Sequence, residues 1–223
     1  MISLLQSKHV LVTGATGSGK TWLCRGLARL RPNGIVVDTV GAFGFGTALD
    51  WSTIGALGRG GWFRVDVHQV SNGRGLLRAV LALVYRAARA GALPRPYTVV
   101  LEEADRYGRA GWNLPEIQRL VDCGRNFDLS VVVNLHRLAA APEEYFHAAG
   151  VVLYGYTPPN AWRDNERLKK ILGPGVLSIY RANVRNFLFL AVDSACNLAI
   201  VGVDRDQRSL FVRRVAGLKE SEG

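Results

Sequence analysis

Lysine is scarce in this chain. Among 223 residues it occurs only at positions 8, 20, 169, 170 and 219. Cysteine is sparse as well. Cys24, Cys123 and Cys196 are too scattered for a metal knuckle and odd in number for a disulfide framework. A reducing compartment, the cytoplasm, is the expected location. Long apolar runs are missing. The most apolar late stretch, residues 187–203, is interrupted by Asp193 and Asn197, whereas a spanning helix needs about 20 mainly apolar residues. No direct membrane insertion is expected. Residues 1–12 lack the basic start and apolar core of a signal peptide. Acidic charge is also in short supply: 18 Asp and Glu face 28 Lys and Arg, a formal net charge of +10. Arginine supplies most of the excess, and its planar fork bonds two phosphate oxygens at once. The balance points to a polyanionic partner, most simply nucleic acid. A GC-rich coding sequence, which favours Arg, Ala, Gly, Leu and Val, accounts for the same composition, so composition alone leaves both readings open.

Glycine is abundant, with 25 residues, and its placement is informative. The run Gly14-Ala15-Thr16-Gly17-Ser18-Gly19-Lys20-Thr21 fits the pattern G-x-x-x-x-G-K-S/T. An apolar segment, 9–13, leads into it and a helical pattern, 22–30, leads out. Strand, glycine loop and helix together make a phosphate cradle. Backbone N–H groups turn inward at an anion, and the helix N-terminus adds favourable dipole. Lys20 is expected to reach the β- and γ-phosphates of ATP, and Thr21 to offer its hydroxyl to Mg²⁺.

The rest of the chain alternates short apolar runs with helical spacing. Strands are expected at 34–39, 62–67, 97–101, 130–134 and 150–154. Helices are expected at 74–90, from Asn113 as N-cap with Pro115 in the first turn, and at 159–172, stopped by Gly173-Pro174. Residues 41–61 read as irregular and glycine-rich, with a mobile loop at 58–61. Shorter strands are expected at 177–180, 187–192, 198–203 and 210–213. This alternation predicts one α/β domain over 1–216, with a mainly parallel central sheet flanked by helices and short C-terminal strands, and a frayed tail over 217–223.

The strand at 98–101 ends in Glu102-Glu103-Ala104-Asp105, the form of a Walker B strand. Successive strand residues face opposite ways, so adjacent carboxylates can hold different jobs. Glu102 is the expected Mg²⁺ holder and Glu103 the group that polarises water.

Downstream lies Asp122-Cys-Gly-Arg125-Asn-Phe-Asp-Leu-Ser-Val-Val-Val-Asn134-Leu-His136-Arg137. With the phosphate loop and the double acid, this stretch resembles the HerA/FtsK superfamily of P-loop motors, whose sheet is RecA-like. The likeness runs from about Lys8 to Gly173 and is weak between Thr47 and Pro94. It implies that Arg125 is an arginine finger acting on the γ-phosphate held by a neighbouring subunit. It also implies that His136 is the sensor where the family has Gln, with Asn134 as the alternative on the same face. Glu102, where the family has Asp, is a second departure.

The size is similar to that of the minimal ATPases that package genomes into icosahedral viruses with internal membranes. The resemblance therefore implies an ATP-hydrolysing translocase with Mg²⁺, working on double-stranded DNA as a homo-oligomeric ring, a hexamer favoured. Docking to a viral vertex or membrane protein, in the host cytoplasm or virion, would follow. Arg59, Arg106, Arg109, Arg181 and Arg185 are candidate DNA contacts. A conjugation or DNA-processing ATPase of the same superfamily, a small-molecule P-loop kinase and a non-catalytic nucleotide-gated assembly protein are the competing expectations.

Overall fold

The computed structural model describes residues 5, 9–50, 52–107, 114–204 and 209–215. Its centre is built from strands that are apolar on both faces. β1 (Val10–Thr13), β2 (Gly34–Asp38), β5 (Tyr97–Glu102), β6 (Leu129–Leu135) and β7 (Val151–Tyr154) are buried along their whole length. Continuous β-branched runs of this kind are what a parallel sheet covered by helices requires. The remaining strands are β3 (Thr47–Ala48), β4 (Trp62–Asp66), β8 (Leu188–Asp193), β9 (Leu198–Asp204) and β10 (Ser209–Arg214). Among the described residues they complete a ten-stranded sheet in the order β10-β9-β8-β7-β1-β6-β5-β2-β4-β3. Pairing is parallel from β7 to β3, and β8, β9 and β10 add antiparallel at the other side.

Helices cover both faces. α1 (Lys20–Arg29) lays Leu23, Cys24 and Leu27 on a cluster with Val12, Val36, Val100 and Val132. α2 (Gly73–Arg89), α3 (Pro115–Cys123), α4 (Glu143–Ala148) and α5 (Trp162–Asn183) follow in chain order. α2, α3 and α5 bury Leu77, Leu81, Ile117, Leu120 and Leu168 on the opposite face. Strand alternation feeds both cores: Leu11 points to one, Val10 and Val12 to the other. Among the described residues no helix is long and apolar enough to cross a membrane.

Three local expectations change. Residues 177–180 are helical, not a strand. Gly173, at φ 68° and ψ 171°, breaks α5, and Pro174 opens a second helical arm that carries on to Asn183. Proline suits a first helical position, and Val176, Leu177, Ile179 and Tyr180 then fall at helical spacing onto the core. The irregular 41–61 region contains β3 and a 3₁₀ turn over Ile54–Arg59, so Gly58 and Arg59 close a turn. α3 starts with Leu114 at its N-cap; Asn113, expected there, lies outside the described residues, as does the 217–223 tail.

Candidate nucleotide site

β1 delivers the glycine loop to the C-terminal rim of the sheet. Thr13, its last residue, lies level with Leu135 of β6 and Tyr154 of β7. Ala15 N donates to Tyr156 O at 2.8 Å, and Phe187 N donates to Ser18 O at 2.8 Å, so the loop is pinned from outside as well as by its own turn. Gly19 sits at φ 95° where α1 begins, and a Cβ there would lie 2.5 Å from the Phe187 ring. Only glycine satisfies both the left-handed backbone and that close approach.

Lys20 follows on the first helical turn. Its side chain is buried, and Nζ donates to Ala15 O at 3.0 Å. Burial lowers its pKa, and the nearby Glu103 and Glu102 carboxylates oppose that. The ammonium is thus held against a carbonyl of the phosphate loop itself.

Thr21 and the second strand are joined directly. Thr21 Oγ1 donates to Glu102 Oε1, and Asn134 Nδ2 donates to Glu102 Oε2 at 2.9 Å. Glu102 is 1% exposed; burial raises its carboxyl pKa, opposed by these two hydrogen bonds. Its backbone is held by β2, where Thr39 Oγ1 donates to Glu102 O at 2.6 Å and to Glu103 O at 3.1 Å. Asp38 fixes the turn beyond, accepting from Val40 N, Gly41 N and Phe43 N at 2.8–3.0 Å. Glu103 breaks the strand at φ 43°, a left-handed backbone that non-glycine residues seldom adopt.

The two sensor candidates have different contacts. Asn134 touches Glu102. His136 Nε2 lies 2.5 Å from Thr16 Oγ1 on the phosphate loop. Its backbone N–H donates to both oxygens of Asp105, at 3.1 and 3.2 Å. Asp105 is mostly buried, and burial raises its pKa.

The structure therefore brings Gly14 to Thr21, Glu102, Glu103, Asn134 and His136 to one rim. Arg125 stays apart. It stands in a 3₁₀ turn, Gly124–Phe127, before β6 begins, and its Nη2 donates to Ala148 O. The length of β6, about 20 Å at the usual rise per strand residue, separates it from the loop. Arg59, Arg106, Arg181 and Arg185 are exposed, and Arg109 lies outside the described residues. Arg106 and Arg185 share the phosphate-loop rim, following β5 and preceding β8. Sequence reading gave no role to Thr39, Asp105, Tyr156 or Phe187; Asp38 next to Thr39, and the place of Asp105 in the acid run, are the signals that point to the first two.

A hydroxyl and a carboxylate meeting at Thr21 and Glu102 are the hard oxygen donors that Mg²⁺ takes alongside phosphate. Loop, buried lysine and an acid-tipped strand, set one strand away from the loop's own on a parallel sheet, define the P-loop ATPase fold.

No protein-family model matches the chain, and no curated protein matches it in sequence. Solved structures do match in fold. The genome packaging NTPase B204 from Sulfolobus turreted icosahedral virus 2, in complex with ATP-gammaS, is similar with a TM-score of 0.65 at 12% identity, over 93% of this chain and 97% of that one. B204, the DNA-packaging ATPase from Sulfolobus turreted icosahedral virus, is similar with a TM-score of 0.61 at 13% identity, over 95% and 99%. EssC (ATPases 2 and 3) from Geobacillus thermodenitrificans gives 0.59 at 10% identity, over 88% of this chain and 39% of that one. The fold expected from the sequence is thus shared with two viral packaging ATPases and with EssC.

Proposed function

We propose that this chain is an ATP-hydrolysing DNA translocase, a genome-packaging motor ATPase that works as a ring. One observation carries the reading: Thr21, Glu102 and Asn134 form a continuous hydrogen-bonded link from the phosphate loop to the acid strand and the strand beside it. A loop that only bound an anion would not need that link. Support comes from the fold, shared over nearly the whole length of two viral packaging ATPases.

In this reading the loop N–H groups and Lys20 hold the phosphates. Thr21 and Glu102 hold Mg²⁺, which when bound neutralises charge on the β- and γ-oxygens. Glu102 and Asn134 keep Thr21 oriented. Glu103 accepts the proton of the attacking water. His136, tied to Thr16, reports the state of the loop to the end of β6. Arg125 serves the loop of an adjacent subunit, and exposed arginines contact the DNA backbone with little sequence preference and strong salt dependence.

The test is ATP turnover with and without double-stranded DNA, with particle size measured alongside. Glu103→Gln should lower turnover by about a hundredfold or more while ATP binding persists. Equal turnover in variant and wild type would remove Glu103 from the chemistry. Turnover in a monomer that DNA leaves unchanged would remove the translocase reading.

A further inference from the structure

Both walls of one groove are tied to the phosphate loop. On one side, Tyr156 O accepts from Ala15 N at 2.8 Å. On the other, the second arm of α5 leads through Val184 to Phe187, whose N–H donates to Ser18 O at 2.8 Å. Tyr180 Oη joins the walls by donating to Gly155 O at 2.9 Å. The space between them is about 500 Å³, within the range of small-molecule sites. Tyr156 and Trp162 line it at 36% and 65% exposure, two of the four large apolar side chains exposed among the described residues. Two open aromatic rings beside a phosphate cradle suit a flat ligand that continues from the phosphates.

Given the reading of the loop as a triphosphate site, on which this rests, we propose that the groove holds the nucleobase by stacking on Tyr156 and Trp162, and that it takes adenine and guanine alike. The substrate class would then be purine nucleoside triphosphates and not ATP alone.

Telling the two purines apart takes polar groups aimed at the base edge, where one base carries an amino group and the other an oxygen. In this groove such groups are engaged with the protein. Asn165 Nδ2 donates to Pro158 O at 2.9 Å and to Ala161 O at 3.1 Å. Tyr180 Oη serves Gly155, and the Lys169 ammonium pairs with the Glu166 carboxylate. Pro159, another lining residue, has no N–H to offer. Arg181 lines the groove too, but a guanidinium only donates, and both purines present the same N7 acceptor. What is left is stacking, which tolerates any base because every base has a π-face. A purine covers more apolar surface than a pyrimidine and so gains more from it.

The experiment is equilibrium binding to the full chain, with Mg²⁺, of non-hydrolysable ATP, GTP and UTP analogues and of inorganic triphosphate, for wild type, Tyr156→Ala, Trp162→Ala and Trp162→Phe. The ATP and GTP analogues should bind within about 3-fold of each other, and the UTP analogue about 10-fold more weakly. Each alanine variant should weaken both purine analogues about 5- to 150-fold, the range for losing one stacking partner, and leave inorganic triphosphate unchanged. Trp162→Phe should keep most of the affinity. A GTP analogue weaker than the ATP analogue by about tenfold or more overturns the tolerance of base. Alanine variants that bind the ATP analogue as the wild type does overturn the groove as the base site and leave the loop standing. Parallel loss of inorganic triphosphate in an alanine variant makes that side chain a support of the loop and overturns its stacking role. A wild type that binds neither the ATP analogue nor inorganic triphosphate overturns the reading of the loop, and the groove with it.

Discussion

Glu102 shows how a single departure is absorbed by its surroundings. Its longer side chain places one oxygen on Thr21 and the other on Asn134, so neither lone-pair set is wasted in a buried site. The choice between Asn134 and His136 as sensor likewise resolves into two contacts, one to the acid and one to the loop. The loop and the double acid were legible in the sequence because each is contiguous. Thr39 was not, because it lies 63 residues from Glu102 and meets it only through strand order. His9 makes a separate prediction. It is buried beside β6, its Nδ1 accepts from Val131 N at 2.9 Å, and its Nε2 has no partner among the described residues. Burial, helped by Arg125 and Arg31, pushes its pKa from 6.5 to about 4. A histidine lowered on folding contributes stability that is complete above its unfolded value and is lost as pH falls toward the folded one. The loss amounts to up to about 3 kcal/mol, spread between pH 6.5 and pH 4. Urea titrations of wild type and His9→Gln at pH 7 and pH 4 check this. The wild type should lose more stability over that interval, by up to that amount; parallel losses would contradict it.

Among the elements, the second arm of α5 was misread as a strand. The window Leu177-Ser-Ile-Tyr180 is apolar and β-branched enough to look like a strand, and four residues are too few for periodicity to decide. The decisive feature is Gly173, whose φ of 68° and ψ of 171° lie in a region open essentially to glycine. It lets the second arm fold back so that Tyr180 Oη donates to Gly155 O at 2.9 Å, beside the phosphate loop. Gly173→Ala should therefore cost about 1–3 kcal/mol of stability, read from denaturant midpoints. The added methyl itself meets nothing within 4 Å among the described residues, so the strain would be in the backbone alone. A variant as stable as the wild type would show that the kink relaxes freely. The central strands, by contrast, were readable because burial on both faces leaves an unbroken apolar run between turn signals, as in Ser130-Val-Val-Val.

At the scale of the whole molecule, the sheet has two unlike rims. One carries the loop, Lys20 and the acids; the other carries Arg125, held by the Ala148 carbonyl. The motif arithmetic of the sequence could name Arg125 but could not say which rim it occupies, because that depends on strand direction. Its placement makes a subunit-mixing experiment informative. Lys20→Ala chains and Arg125→Ala chains should each be nearly inactive alone, yet regain part of the wild-type turnover when combined, since mixed neighbours can form an intact loop facing an intact arginine. Confirmed mixed assemblies with no recovery would show that Arg125 does not act between chains. If every complete site needs parts from two chains, turnover per chain falls as the protein is diluted and its assemblies come apart, even with ATP saturating. An open row of subunits would always carry one idle loop at its end, whereas a closed circle would carry none. Specific activity would then report how many of the assemblies have closed.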